Sequence, residues 1–487
     1  MTATQANTAQ LAREIEAIVG PEGLVQQPEQ LRVYESDGLT VFRQTPALVA
    51  LPTTTEQTRD IVRACRRHGV PFVPRGSGTG LSGGALPVEG CVVIALSKMR
   101  QILDVDIPNQ RVVVQPGVLN LWVTQKVAPH GYYYAPDPSS QQVCSIGGNV
   151  AENSGGVHCL KYGFTVNHVL GLTLVTPDGD VVEIGGPAIE APGYDLTGIV
   201  VGSEGMLGVC TEITLRIVRR AEAIRLSLVD FPTIDAAGDA VSEIIGAGIV
   251  PAAIEMMDNL AIQATEAATH AGYPLDAGSV LLVELDGHPI EVELQQQIVE
   301  KICRECGARE IRIARDADER ALFWKGRKAA FAAMGRLSPH YIVQDGVIPR
   351  TTLPQVLREI AELSEQYGLR VANVFHAGDG NLHPLVLYPN EADFERAEHL
   401  AGDILKTCVA HGGSITGEHG VGVEKRPYMS VMFSEADMET HQMVRCAFNP
   451  DNICNPGKVY PTPRLCGETP GKYTPHPLEL AGLADRF

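Results

Sequence analysis

The segment PRGSGTGLSGG at residues 74–84 decides how the N-terminal half of this sequence is interpreted. Its glycines leave a run of backbone N–H groups with little side-chain obstruction, which suits a loop that surrounds a pyrophosphate. Gly78, Gly80 and Gly83 also have the spacing G-x-G-x-x-G of dinucleotide sites. In those sites a helix follows and presents its N-terminus to the phosphates, whereas here ALP and a short apolar run follow. The segment favours phosphate binding without a Rossmann unit, and a purely structural turn remains an alternative.

The sequence around this loop predicts an α+β fold rather than a doubly wound parallel sheet. From residue 71 onward, short apolar runs such as CVVIAL (91–96) and RVVVQP (111–116) alternate with glycine-containing loops. Near residue 221 the pattern resets to strands and helices in ferredoxin-like alternation. We expect a first domain over 1–221 with its core in 44–221, a second over 222–409, and a C-terminal helical segment over 410–487 that returns to the first.

Composition and charge exclude several classes of function. The 39 basic and 58 acidic residues give a net charge of -19, which repels nucleic acid and anionic lipid. The N-terminus lacks the basic and apolar regions of a signal peptide, and no apolar run reaches the roughly 18 residues of a membrane span. The 11 cysteines are scattered, with one CxxC at 303–306, which is typical of reduced cytosolic thiols. We expect a cytoplasmic protein, at most peripheral to the inner membrane, without its own iron-sulfur cluster.

Three further segments accompany the first loop: PDPSS (136–140), SIGGNVAENSGG (145–156) and GSEGMLG (202–208). In content and spacing the four resemble the FAD-binding domain of the vanillyl-alcohol oxidase and p-cresol methylhydroxylase superfamily. That resemblance implies two α+β subdomains that hold an extended FAD between them. Covalent relatives carry His or Cys in the loop where Ser77 and Thr79 stand, so we expect non-covalent FAD. The resemblance assigns cofactor binding to Arg75, Gly76, Ser77, Gly78, Thr79, Ser82, Ser140, Ser145, Gly147, Gly148, Asn149, Asn153, Gly155 and Val209.

A candidate metal site begins in NVFHAGDGNLHPL at residues 373–385. A two-residue Asp-Gly turn at 379–380 would pair His376 with His383 on one face, with Cβ atoms about 4.5–5.5 Å apart. Two such histidines can share a divalent metal, and Glu418 of the segment GEHG (417–420) offers a third ligand. Zinc, manganese and iron all suit this set, which also occurs in non-haem iron oxygenases. The alternative is a solvated hairpin that carries two histidines.

Two further residues complete the candidate chemistry. His419 stays free beside Glu418, and a neutral imidazole can act as the general base that removes a hydroxyl proton. Arg327, within FWKGRK (323–328), is the candidate for binding a carboxylate through its guanidinium fork. An exposed basic helix face explains that cluster nearly as well. Asp345 lies in a strand that could line the same pocket, and the sequence gives it no catalytic role.

Long, uncommon strings extend the resemblance over nearly the whole chain, among them YESDGL (34–39), YYAPDPSSQ (133–141), IEMMDNL (254–260) and NPGKVYP (455–461). They resemble the FAD-binding 2-hydroxy acid oxidases and dehydrogenases, and most closely the catalytic subunits of bacterial glycolate oxidases. The resemblance implies hydride transfer from the substrate α-carbon to flavin, with glycolate oxidised to glyoxylate, or D-lactate as substrate. Leu385 stands where enzymes for D-2-hydroxyglutarate typically have Asn, which favours a small monocarboxylate. It also implies a second FAD-domain subunit and an iron-sulfur subunit that passes electrons toward quinone.

Three alternatives stay open. A stand-alone D-lactate dehydrogenase would give its electrons to a quinone or a cytochrome. A non-catalytic flavoprotein subunit would only relay electrons, although such a relay needs no hydroxyl-activating metal and the set of histidines and Glu418 argues against it. A metal-dependent hydrolase without flavin would be colourless.

Overall fold

Two small sheets and a two-stranded ribbon form the N-terminal half of the protein in the computed structural model, which describes residues 3–186 and 193–461. The first sheet has strand order β1-β2-β4-β3, and β2, β4 and β3 are parallel. Leu11 and Ile15 of the first helix pack with Ile61 and Cys65 of the third, and all four are buried. The elements are α1 (Ala3–Val19), β1 (Leu24–Val25), α2 (Pro28–Leu31), β2 (Leu48–Ala50), α3 (Thr55–His68), β3 (Phe72–Arg75) and β4 (Val92–Ala95).

The second sheet is antiparallel, with strand order β5-β6-β10-β8-β9. The segment 76–84 follows β3 of the first sheet and 202–208 leads into β10 of the second, so the glycine-rich segments come from both sheets. The elements are β5 (Ile102–Asp106), β6 (Arg111–Val114), α4 (Asn120–Val127), β7 (Tyr132–Tyr133), α5 (Ile146–Glu152), α6 (Cys159–Tyr162), β8 (Val169–Val175), β9 (Val181–Gly185), α7 (Leu196–Val200), β10 (Val209–Arg216) and β11 (Val218–Arg219). The α+β class expected from the sequence is confirmed.

A single large sheet organises the following part of the chain, with order β15-β12-β14-β13-β18-β19-β16 and β17 paired to β19. Its first four strands in chain order lie as 4-1-3-2, the arrangement of a ferredoxin-like unit, with one extra helix between the second and third. Helices cover both faces, so each face has its own apolar core. The elements are β12 (Ala223–Phe231), α8 (Ile234–Gly246), β13 (Ala253–Asp258), α9 (Asn259–Thr269), β14 (Ser279–Gly287), α10 (Pro289–Glu305), β15 (Glu310–Ile313), α11 (Ala317–Ala333), β16 (His340–Val343), β17 (Gly346–Val347), α12 (Leu353–Tyr367), β18 (Arg370–His376), β19 (Asn381–Tyr388) and α13 (Phe394–Ala410).

The hairpin of β18 and β19 forms, but the expected pairing of its strands is wrong. His376 pairs with Asn381 and His383 pairs with Val374, because the turn spans four residues rather than two. The Asp379 carboxylate accepts the backbone N–H of Asn381 at 3.2 Å, which closes the wider turn. The observed pairing is shifted by two residues from the expected one. Because side chains alternate between the two faces of a strand with a period of two, both histidines still lie on the same face.

The C-terminal segment returns to the first sheet, as expected. It contains α14 (Met429–Met432) and α15 (Glu435–Phe448). After α15 the chain lies beside β3, where Phe72 N–H donates to Ile453 O at 2.9 Å and Asn455 N–H donates to Phe72 O at 2.8 Å. Residues 462–487 of this segment lie outside the described part, and the boundaries at 221 and 409 stay predictions.

The sequence predicts reduced cysteines, and the described residues allow that prediction to be compared with the structure. Nine of their cysteines are free, while Cys446 is disulfide-bonded, so the expectation of reduced thiols is wrong at that position. No helix within 3–186 and 193–461 is both long enough and apolar enough to cross a membrane.

Candidate active site between the two domains

A cavity of about 650 Å³ lies between the two N-terminal sheets and the large sheet. Its walls come from the glycine-rich segments on one side and from α11, β16 and residues 418–419 on the other. Eleven of the fourteen residues expected to bind the cofactor line it: Arg75, Gly76, Ser77, Gly78, Thr79, Ser140, Ser145, Gly147, Gly148, Asn149 and Val209.

The other three residues expected to bind the cofactor, Ser82, Asn153 and Gly155, do not line the cavity and make other contacts. The carbonyl of Ser82 accepts the N–H groups of Val423 and Glu424 at 2.9 and 3.1 Å. The side chain of Asn153 accepts Val166 N–H at 2.9 Å. Gly155 allows the close approach of Glu418, since a Cβ atom there would lie 2.5 Å from the Glu418 carboxylate.

The glycines of the first segment fit a cradle for a phosphorylated cofactor. A Cβ atom on Gly76 would lie 2.3 Å from Ser145 Oγ and 3.4 Å from the backbone nitrogen of Gly148. Ser77 N–H donates to Ser145 Oγ at 3.1 Å, which joins the first segment to the start of α5. Gly78 has a φ of 71°, a conformation that favours glycine. Glycine at these positions keeps further side chains out of the cavity wall, which leaves room for a phosphorylated cofactor.

Two acidic residues of the cavity wall were not expected from the sequence. Glu152 at the end of α5 and Glu204 in the segment 202–208 both line it. A Cβ atom on Gly420 would lie 2.2 Å from the Glu152 carboxylate and 2.9 Å from that of Glu204. The two carboxylates therefore meet beside the segment that carries Glu418 and His419.

His376, His383 and Glu418 converge beside the cavity, and of the three only Glu418 lines its wall. Glu418 Oε1 lies 3.4 Å from His376 Nε2 and 3.1 Å from His383 Nε2. All three ligand atoms fall within 4.8 Å of one another. His383 Nε2 and Glu418 Oε2 are buried and have no hydrogen-bond partner among the described residues. A cation placed among them would complete their coordination, so these residues fit a divalent metal.

Hydrogen-bond partners at the Nδ1 atoms of both histidines hold the imidazole rings in the orientation that a metal site needs. His376 Nδ1 lies 2.8 Å from the carboxylate of Glu255, and His383 Nδ1 lies 3.2 Å from the carbonyl of Gln344. When Nδ1 donates to such an acceptor, Nε2 keeps its lone pair for a metal. Glu255 was missed as a functional residue, although its string IEMMDNL was recognised.

Asp345, which the sequence placed near the pocket without a role, organises the segment around Glu418. Its carboxylate accepts the N–H groups of Gly417, Glu418 and His419 at 3.0, 3.1 and 2.9 Å. The buried ammonium of Lys425 lies 3.1 Å away. Asp345, His383 and His419 also lie close enough to bind a metal. Because the oxygens of Asp345 are already occupied, the set of His376, His383 and Glu418 fits a cation better.

Burial and neighbouring charges shift the pKa values of this cluster, upward for His376 and downward for Glu418 and His419. Burial disfavours charge on His376, but the carboxylates of Glu255 and Glu418 outweigh it and raise the pKa of His376 well above its usual value. Burial also opposes charge on Glu418, yet the two imidazoles hold the pKa of Glu418 well below its usual value. For His419 burial prevails and lowers its pKa to about 4. The cluster thus attracts positive charge around Glu418 and keeps the His419 imidazole neutral.

Arg327 lies behind the histidines rather than in the cavity wall. It is fully buried on α11, and its Nη2 lies 2.6 Å from Glu255 Oε2. Its Nε and Nη1 have no hydrogen-bond partner among the described residues. One turn further along α11, the ring of Phe331 packs edge-on against His383, with ring centroids 5.5 Å apart. The exposed basic helix face considered above is therefore wrong for Arg327.

The sequence matches two family models. Residues 46–185 match the model described as "FAD binding domain", and residues 220–459 match "FAD linked oxidases, C-terminal domain". The class defined by the fold and the cavity is thus an FAD-linked oxidoreductase of two domains.

Comparison with curated proteins then identifies the family. The chain is 51% identical over 450 residues to "Glycolate oxidase subunit GlcD" of Escherichia coli strain K12, covering 92% of this chain and 90% of that protein. It is 37% identical to GlcD of Bacillus subtilis strain 168, over 93% of this chain and 97% of that one. A D-lactate dehydrogenase of Anaerostipes hadrus is 30% identical over 88% of this chain and 92% of its own length. This chain belongs to the FAD-linked oxidase family that includes these GlcD subunits.

Solved structures show the same fold. A p-cresol methylhydroxylase with bound substrate superposes with a TM-score of 0.79 at 17% identity, covering 93% of this chain and 97% of that one. The 4-ethylphenol oxidase from Gulosibacter chungangensis gives 0.78 at 17% identity, over 94% and 98%. The expected fold of the p-cresol methylhydroxylase type is confirmed.

Proposed function

We propose that this enzyme oxidises a small 2-hydroxy acid, most readily glycolate to glyoxylate and also D-lactate. The observation that carries the proposal is the convergence of three histidines, His376, His383 and His419, on Glu418. Glu418 and His419 line the wall of the cavity. The names of the relatives support it, since two are subunits of glycolate oxidase and one is a D-lactate dehydrogenase.

His376, His383 and Glu418 would hold a divalent zinc, manganese or iron ion. When bound, the metal would supply a Lewis acid for the substrate hydroxyl and non-covalent FAD would supply the acceptor for the hydride. His419 would remove the hydroxyl proton. Its Nε2 lies 3.7 Å from Glu418 Oε1, and His419 itself lines the cavity. Burial keeps this imidazole neutral, which is the form that accepts a proton.

Arg327 would bind the substrate carboxylate, which requires the substrate to reach beyond the cavity wall, because Arg327 does not line it. Its two unused nitrogen donors are buried, and a buried donor without an acceptor is costly, so a carboxylate ligand would satisfy them. Glu255 holds the third nitrogen and leaves the fork partly free. The cofactor roles of Arg75 and the other residues that line the cavity belong to the same proposal.

Electron transfer to other subunits would complete the turnover. The name of the E. coli relative describes a subunit, which favours a complex. We propose as partners a second FAD-domain subunit and an iron-sulfur subunit, which would hold this cytoplasmic chain at the inner membrane. A D-lactate dehydrogenase that works alone is the second candidate, favoured by the Anaerostipes relative. Co-purification of an iron-sulfur protein with the full chain separates the two.

The visible absorption spectrum of the purified chain, recorded anaerobically before and after addition of glycolate or D-lactate, tests the reaction. We expect a flavin spectrum that bleaches with at least one of the acids. If bound flavin is reduced by neither acid, even with the partner subunits present, the proposal fails and a relay role takes its place. A chain that stays colourless after addition of FAD would contradict the cofactor itself.

A further inference from the structure

The segment 416–422, which carries Glu418 and His419, is held by carboxylates from two different domains. From the large sheet, Asp345 accepts the three consecutive N–H groups of residues 417–419. From the N-terminal half, the Glu204 carboxylate accepts two further backbone N–H groups of the same segment. Its Oε1 receives Val421 N–H at 2.6 Å and its Oε2 receives Gly422 N–H at 2.7 Å. Five of the six amides from 417 to 422 are thus fixed by two side chains.

The backbone at Glu204 is unusual for a glutamate. Its φ is 50°, in the left-handed region that residues with side chains rarely adopt. A hydrogen bond fixes this backbone conformation, because Asn455 Nδ2 donates to Glu204 O at 2.6 Å. An uncommon backbone conformation that the surroundings enforce points to a function for the side chain it presents. Here the side chain is buried and directed at the segment of Glu418 and His419.

The segment has no free space in which to shift. A Cβ atom on Gly422 would lie 2.0 Å from Ser82 O, in the first glycine-rich segment. A Cβ atom on Gly420 would lie 2.2 Å from the Glu152 carboxylate. The backbone of 420–422 therefore lies directly against the walls that form the FAD cavity. Any displacement of Glu204 would move the segment relative to that cavity.

We propose that Glu204 is a positioning residue, through which the FAD-binding domain places Glu418 and His419 against the cavity. This inference rests on the proposed function for its effect on turnover. Its structural content does not depend on that function, because the two hydrogen bonds can be measured directly. Asp345 fixes the segment to the large sheet, and Glu204 fixes the same segment to the other domain.

Hydrogen exchange of the full chain with FAD bound, followed by mass spectrometry of overlapping peptides across 414–424, tests the proposal. In the wild type the amides of Val421 and Gly422 are expected to exchange slowly. In Glu204→Gln the isosteric amide can accept only one of the two N–H groups well, and a charged hydrogen bond is lost. We expect exchange at these two amides to accelerate roughly ten- to hundredfold, with that of residues 417–419 less affected.

The same variant should keep its FAD but react more slowly. Because small misplacements of catalytic groups are costly, we expect the rate of anaerobic flavin bleaching to fall about 10- to 100-fold. Glu204→Asp, which keeps the charge, should recover part of that rate. Glu212→Gln is the matched control, since Glu212 lies on β10 of the same domain, and it should leave exchange and bleaching unchanged.

Three outcomes would overturn the proposal. The first is fast exchange of the amides of Val421 and Gly422 in the wild type, a measurement that needs no variant to fold. The second is a Glu204→Gln chain with wild-type exchange and bleaching. The third is loss of FAD from that chain with unchanged exchange in the segment. A wild type that no 2-hydroxy acid bleaches would refute the proposed function alone, because the exchange result would stand.

Discussion

Replacement of Glu255 by glutamine should strongly destabilise the large-sheet domain. Glu255 and Arg327 are both buried, with Oε2 and Nη2 2.6 Å apart, and the other carboxylate oxygen lies 2.8 Å from His376 Nδ1. Glu255→Gln keeps the shape but leaves the guanidinium buried without its counter-charge. Removing one partner of a buried ion pair costs about 3–5 kcal/mol. We expect the free energy of unfolding to fall by about 3 kcal/mol, because glutamine can still accept one hydrogen bond.

Urea unfolding followed by tryptophan fluorescence measures this change in a Trp122→Phe background, where the signal comes from Trp324 on the same helix as Arg327. Glu310→Gln, on the exposed edge strand β15, is the control and should have little effect. The double variant Glu255→Gln/Arg327→Met removes both charges and should be more stable than Glu255→Gln alone, because no uncompensated charge remains. A loss below about 1 kcal/mol in the single variant, or a further loss in the double variant, would refute this reasoning.

Three other changes test the site and its surroundings. His419→Asn should keep bound flavin but slow anaerobic bleaching by roughly 10²–10⁴-fold, whereas His411→Asn should not, and equal rates in both would exclude His419 as proton acceptor. Glu418→Gln should weaken zinc binding in competition with a chromogenic chelator, and an unchanged affinity would remove Glu418 from the ligand set. Burial raises the pKa of Asp258 from 3.8 to about 6. Its contribution to stability is therefore full below pH 3.8 and is lost as the pH rises through about 6. Urea midpoints should show the wild type losing stability relative to Asp258→Asn over that window, and a constant difference would contradict the raised pKa.

The fold was predictable where its signals are local. Glycine-rich segments, short apolar runs and the strand-helix alternation after residue 221 depend on residues close in the chain. The fold class and the order of the first four strands of the large sheet, β12 to β15, follow from them. The predicted pairing of β18 with β19 was wrong because a hydrogen bond from outside the hairpin competes with the local Asp-Gly turn. In that bond Ile348 N–H donates to Gly380 O at 3.0 Å. That contact comes from a segment 32 residues earlier in the chain.

The candidate site was predictable only in the residues with recognisable chemistry. Four candidate residues were named from the sequence: His376, His383, Glu418 and His419. Glu255 was not singled out, and Asp345 was named without a role. One signal was present: Glu255 interrupts an apolar strand between Ile254 and Met256, and a buried charge requires a partner. The sequence could not say which partner, because Arg327 is 72 positions away and reaches Glu255 only through the fold.

The charges in direct contact with the histidines and their segment also bear on the substrate. Two buried cations, Arg327 and Lys425, face four carboxylates, those of Glu255, Asp345, Glu418 and Glu204. With neutral imidazoles this group carries two net negative charges, which agrees with the raised pKa of His376. A divalent ion would neutralise the group. Each carboxylate of a substrate would then add one unbalanced negative charge, so a dicarboxylate is disfavoured more than a monocarboxylate. The charge balance therefore favours glycolate or D-lactate over a dicarboxylic 2-hydroxy acid, in agreement with the apolar Leu385 on the strand of His383.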